Sequence, residues 1–202
     1  LRNLVFLTGS FYKAVKLTTV PTAIPNTVIS TAQAFRDAIL FNQNIGGWTM
    51  DNVTTADNMF NNAAAFNNGG SGDINNWNVS KVTDMTSMFE DATVFNQPIG
   101  NWDVSSVTNM FEMFYDAVAF NQDISRWNTS KVTNMQQMFY NVNSFNQDIN
   151  TQTIAGMGQS YTAWDVSNVT NMNSMFGSAD VFNGNISQWN VGKVTDLSLI
   201  HI

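Results

Sequence analysis

No cysteine occurs in the chain, which excludes disulfide staples, thiolate metal sites and thiol nucleophiles. The single histidine, His201, stands beside the last residue, and no Ser-His-Asp arrangement or histidine cluster can be read around it. Charged residues make up only 11%, where about a quarter is usual. The eight basic residues are scattered, and the net charge is −7. Nucleic acid and anionic membranes are therefore poor partners, because both call for Lys/Arg clusters. No apolar run reaches the roughly 18 residues that a membrane-spanning helix needs, so no membrane insertion is expected. The Gly69-Gly70-Ser71-Gly72 run lacks the lysine and the strand-to-helix setting of a phosphate-binding loop. No signal-peptide pattern precedes the first landmark.

What fills the chain instead is asparagine, serine, threonine and a regular hydrophobic framework. Tryptophans stand at 48, 77, 102, 127, 164 and 189, giving gaps of 29, 25, 25, 37 and 25 residues. A Phe-Asn pair precedes each, at Phe41, Phe66, Phe95, Phe120, Phe145 and Phe182. A valine follows each, at Val53, Val82, Val107, Val132, Val169 and Val194, and in four units a Met-x-x-Met-Phe block such as Met110/Met113/Phe114 comes next. Landmarks recurring in fixed order mark a tandem repeat. The two long gaps are insertions, Gly69 to Gly72 and about 151–162, both between the Phe-Asn pair and the Trp.

Within a unit, Ile99-x-x-Trp102-x-Val104-x-x-Val107 has the spacing of a leucine-rich repeat, and its centre alternates as a strand does. Thr-x-Met-x-x-Met-Phe-x-x-Ala then places apolar residues three and four apart, one face of a short helix, with Thr108 and Thr133 at N-cap positions. The expected fold is an α/β, leucine-rich-repeat-like right-handed solenoid of about 25 residues per unit. Each unit would supply one short strand and one short helix. Residues 1–27, with Pro21 and Pro25, read as a cap or degenerate repeat, and residues 28–202 as the tandem array. The last unit breaks off partway, so the repeat is expected to continue beyond Ile202.

The run Phe120-Asn-Gln-Asp-Ile-Ser-Arg-Trp127, followed by Ser130-Lys-Val-Thr-Asn-Met-Gln-Gln-Met-Phe139, resembles the BspA-like leucine-rich-repeat surface proteins. More narrowly, it resembles the bacterial surface repeat known as domain of unknown function family 285. The resemblance covers about residues 28–202. It implies a secreted or surface-anchored protein concerned with adhesion, and it supplies no catalytic residue or defined ligand.

The Trp, Met and Phe ladders read as core, and the repeated Phe-Asn-Gln as a turn whose amides form a ladder along the stack. Outward positions beside the Trp offer a face for a partner: Asn76, Asn78, Asn101, Asp103, Arg126, Asn128, Asp165 and Asn190. Met157 and Tyr161 in the long insertion are candidate contacts on its edge. Asp73, Asp123 and Asp148 share one repeat position, but one carboxylate per unit makes a ladder and not the converging cage calcium needs, so neither metal nor cofactor is expected. Sequons at Asn52, Asn78, Asn128, Asn168 and Asn185 arise from the composition itself. The expected function is a non-enzymatic extracellular or cell-surface module that binds a protein or glycan. The alternative is a structural subunit of a stalk, filament or surface layer that assembles with copies of itself.

Overall fold

The computed structural model describes residues 3–155 and 160–198; Met157 and His201 lie outside them. Among these residues no helix is long and apolar enough to cross a membrane. The backbone is a stack of turn-built units, each joined to the next by one parallel bridge. These bridges run Phe6–Ser30–Thr55–Asp84–Asn109–Asn134–Asn171–Asp196. The steps match the Trp gaps, so both insertions leave the register of the stack intact.

The expected α/β unit of one strand and one helix, and with it the leucine-rich-repeat solenoid, is not what forms. Among the described residues there is no α-helix, and the only regular strands are β1 (Gln152–Ile154) and β2 (Tyr161–Ala163), both in the long insertion. The first insertion forms two short 3-10 helices, Asn68–Gly70 and Gly72–Asn76. The Met-x-x-Met-Phe block, read as a helix, is a chain of tight turns. Glu112 and Asp116 have positive φ, 54° and 55°, and the same pair recurs four residues apart at Ser87/Asp91, Gln137/Asn141 and Ser174/Ser178. In the turns Met110–Met113 and Phe114–Ala117 these residues stand third, where type II turns require a positive φ.

The hydrogen bonding explains why this geometry wins. The N–H groups of Met113, Tyr115 and Ala117 close turns onto the carbonyls of Met110, Glu112 and Phe114 at 3.2, 3.1 and 2.9 Å. The alternate N–H groups, of Met110, Glu112, Phe114 and Asp116, reach the carbonyls of Asn134, Gln136, Met138 and Tyr140 in the next unit, each at 3.0 Å. An α-helix would spend all of them within itself. Thr108 and Thr133 are not helix caps. Each donates its N–H and its hydroxyl to the carbonyl of the threonine one unit earlier, Thr83 and Thr108 respectively.

Inside the stack, the unit that begins at Phe95 buries Phe95, Ile99, Trp102, Val104, Val107, Met110, Met113, Phe114 and Ala117. Phe35, Phe60, Phe89, Phe114, Phe139 and Phe176 form one column with ring centroids 5.5–5.7 Å apart. A second column, Phe41 to Phe182, lies against it, with pairs such as Phe89–Phe95 at 3.9 Å. Five of the six indole N–H groups donate to an isoleucine carbonyl of the preceding unit, as Trp102 does to Ile74 at 2.9 Å and Trp127 to Ile99 at 3.1 Å, and Trp48 donates to the Pro21 carbonyl. The Phe-Asn pairs form the expected ladder: the N–H groups of Asn96, Asn121 and Asn146 donate to the side-chain oxygens of Asn67, Asn96 and Asn121 at 2.9, 3.0 and 3.0 Å.

Turn and helix predict opposite signs for one substitution. Glu112→Gly relieves a left-handed conformation that costs an L-residue roughly 1–2 kcal/mol, against about 0.5–1 kcal/mol of added chain entropy. A net gain of about 0.5–1 kcal/mol is expected by urea denaturation, with Glu112→Gln as the control for charge. In a helix interior the same glycine would cost about 1 kcal/mol, and a loss of that size would count against the turn chain.

Candidate functional site

Around Trp77, Trp102 and Trp127 the side chains alternate in burial although no bridge forms there: Trp102 and Val104 are buried while Asn101 and Asp103 are exposed. The outward face is thus real, but it is not the flat hydrogen-bonded sheet that strand spacing suggested. Of the eight candidates on it, Asn76, Asn78, Asn101, Asp103, Arg126 and Asn190 are exposed, and Asn128 and Asp165 are half-buried.

Five of the eight have a local task. Asn78, Asp103, Asn128, Asp165 and Asn190 each accept, on a side-chain oxygen, the N–H two residues ahead, at 3.3, 3.0, 3.2, 3.0 and 3.1 Å. Such Asx turns redirect the chain after the Trp. The same economy explains the aspartates at the shared repeat position. Asp123 accepts from Ser125 N–H at 2.9 Å, and Asp148 from Asn185 N–H at 2.8 Å. Asp73 accepts from the Asn44 amide at 3.1 Å, and that bond, with a weaker one from Ser71, holds its carboxyl below the usual range. Among the described residues no three His, Cys, Asp or Glu side chains converge as metal ligands would.

The long insertion breaks the uniformity of the face. β1 and β2 pair antiparallel, Gln152 opposite Ala163 and Ile154 opposite Tyr161, and the hairpin lies over the preceding unit. Tyr161 Oη donates to the Arg126 carbonyl at 2.8 Å, and Gln152 Nε2 to the Ser125 carbonyl at 3.1 Å. Between this wall and the stack lies a groove of about 390 Å³, lined by Gly100, Asn101, Asp103, Arg126, Asn128 and Tyr161 among others. A smaller hollow of about 220 Å³ shares Gly100, Asn101 and Arg126 and adds Gln122 and Asp123.

The structure therefore gathers Asn101, Asp103, Arg126, Asn128 and Tyr161, and leaves Asn76, Asn78, Asp165 and Asn190 outside the groove. Gly100, Gln122 and Asp123 are lining residues that sequence reasoning missed. The signal for Gly100 was a glycine where neighbouring units carry Asn75 and Ser125.

A separate acidic cluster lies on the turn chain. Burial pushes the carboxyls of Asp91 and Glu112 above their ordinary values, helped by the charges of Asp116 and Glu90 on Asp91 and of Glu90 on Glu112. A carboxylate raised on folding binds its proton more tightly in the native state, so stability increases as pH falls through the folded value. The melting temperature is expected to rise as pH drops from 7 toward the range just above the ordinary values of 3.8 and 4.5. At lower pH, Asp73 and Asp196, held below the ordinary value by hydrogen bonds, lose their contribution. The double variant Asp91→Asn/Glu112→Gln should flatten the rise in a series of melts, and an unchanged slope would exclude these two groups as its source.

A family profile described as "Mycoplasma protein of unknown function, DUF285" matches residues 9–72, 69–163 and 151–201, which together take in nearly the whole chain. No curated protein matches the chain. No solved structure matches it either.

Proposed function

We propose that this chain, which belongs to the DUF285 family, is a non-enzymatic recognition module of an extracellular or cell-surface protein, and that it binds a protein or glycan partner. The observation that carries the reading is the groove beside the hairpin. Elsewhere on the face the polar side chains mostly cap turns. In the groove, the side-chain polar groups of Asn101 and Arg126 make no hydrogen bond among the described residues, and the Tyr161 ring stands beside them. Concave sites with a few convergent polar groups are where proteins usually bind ligands. Insertions on repeat scaffolds commonly carry recognition, because the scaffold holds them without depending on them. The likeness of Phe120–Trp127 and Ser130–Phe139 to BspA-like surface proteins adds a surface location, without their helix-and-strand unit.

Binding to immobilised extracellular-matrix proteins and glycans tests the reading. Saturable binding is expected, weakened at least tenfold by Tyr161→Ala while the melting temperature stays within about 2 °C. Saturable binding that Tyr161→Ala leaves intact would move the site away from the groove. An absence of binding across both panels would overturn the proposed function.

A further inference from the structure

The groove has an internal origin that points to its ligand. In two units the residue after the buried isoleucine is asparagine, and its side-chain oxygen accepts the backbone N–H of the residue before the next unit's Trp. Asn75 does this for Asn101, and Asn150 for Gln188, both at 2.9 Å. At Arg126 the corresponding residue is Gly100, which has no side chain to offer, and the Arg126 N–H finds no acceptor among the described residues. The gap is built in: a Cβ on Gly100 would lie 2.4 Å from the Asp123 carbonyl oxygen. Arg126, whose N–H has no acceptor among the described residues, thus borders one hollow with Gly100 and Tyr161.

Acceptors border it too. Asp103 gives Oδ1 to Ser105 N–H, and its other oxygen has no partner among the described residues. Asp123, on the adjoining hollow, likewise spends Oδ1 on Ser125 N–H. A carboxylate or phosphate ligand can only accept hydrogen bonds, and it would meet these two aspartates in a chain of net charge −7. An ammonium can only donate, and it would meet Arg126. A hydroxyl does both, and a polyhydroxylated ring presents several at fixed spacing along with C–H faces that rest against an aromatic side chain.

We infer that the groove holds a sugar residue of a neutral glycan. One sugar oxygen takes the Arg126 N–H in the place that Asn75 and Asn150 fill in their own units. A neighbouring hydroxyl donates to Asp103, another accepts from the Arg126 guanidinium, and the ring rests on Tyr161. The inference rests on the recognition role proposed above and narrows its ligand class.

The repeat supplies substitutions already accommodated by the fold. Asn78 and Asn128 cap the same turn that Asp103 caps, so Asp103→Asn removes only the charge. Gln188 occupies the position of Arg126 in its unit, so Arg126→Gln keeps an accepted residue there. The experiment is an array of neutral tri- and tetrasaccharides printed beside sulfated and uronate-containing ones. Amide spectra of the ¹⁵N-labelled chain titrated with the best neutral binder follow. Neutral glycans are expected to bind, the Arg126 amide to move on titration, and each variant to lose at least tenfold in affinity with an unchanged melt. Binding confined to acidic glycans, or neutral binding that leaves the Arg126 amide and both variants unaffected, would overturn the inference. Protein partners bound through Tyr161 without any neutral glycan would overturn it and leave the recognition role standing. Failure to bind either class would remove both.

Discussion

Trp127→Ala is expected to destabilise the chain by about 3–5 kcal/mol, the range for emptying a large aromatic site in a packed core. Trp127 is fully buried. Its indole packs beside Phe114, with ring centroids 6.4 Å apart, and it donates to the Ile99 carbonyl at 3.1 Å. The alanine variant therefore leaves a cavity between two units and takes from the Ile99 carbonyl one of its two donors, the other being the Trp102 N–H. Trp127→Phe separates the two effects, since it keeps most of the ring volume and loses only the N–H. A cost of about 0.5–1.5 kcal/mol is expected from the lost hydrogen bond, together with a smaller cavity. Urea denaturation followed by fluorescence and circular dichroism measures both, and Trp189→Ala, at a partly exposed position, should cost less than Trp127→Ala. A loss under about 1 kcal/mol for Trp127→Ala would mean the Trp ladder does not hold the units together.

Phe114→Ala should cost a comparable 3–5 kcal/mol, for a different reason. Phe114 touches no insertion and makes no polar bond through its side chain, so its contribution is packing alone. It lies between Phe89 at 5.7 Å and Phe139 at 5.6 Å in its own column, and against Phe120 at 4.1 Å in the other. Removing it opens a hole that both neighbouring units line. In a stack whose units touch only their neighbours, energetic coupling is short-ranged. The double variant with Phe120→Ala should deviate from additivity by about 0.5–1.5 kcal/mol, whereas the double variant with Phe41→Ala, several units away, should be additive. Strong coupling at that distance would show that energetic coupling in the stack is not confined to neighbouring units.

The repeat made the core legible before any coordinates. The Trp, Val, Met and Phe positions recur in order, and nearly all of them are buried. The Phe-Asn ladder was legible for the same reason, because an amide at a fixed place in every unit finds its copy one unit away. The helix was misread because apolar residues at Met110, Met113, Phe114 and Ala117 satisfy a helix and a turn chain equally. Both turn the same residues inward every three or four positions. The strand was misread in a related way. Trp102 and Val104 do alternate with exposed neighbours, but alternation reports burial and not pairing, and the bridges form at Asn109 and its equivalents.

The candidate face shows the same division. Exposure of Asn101, Asp103 and Arg126 followed from their spacing beside the Trp. That Asp103 and Asn128 cap turns, that Tyr161 reaches the Arg126 carbonyl, and that Gly100 leaves the Arg126 N–H without an acceptor among the described residues did not. By itself, the sequence determined the period, the inward residues, the places of the insertions and the absence of cysteine. Each of these is a property of residue type at a given spacing. Only the tertiary structure decided where the backbone N–H groups go, because their partners lie about 25 residues away in the next unit. That choice separates turns from helices, and it determines which polar side chains the fold uses and which it leaves exposed.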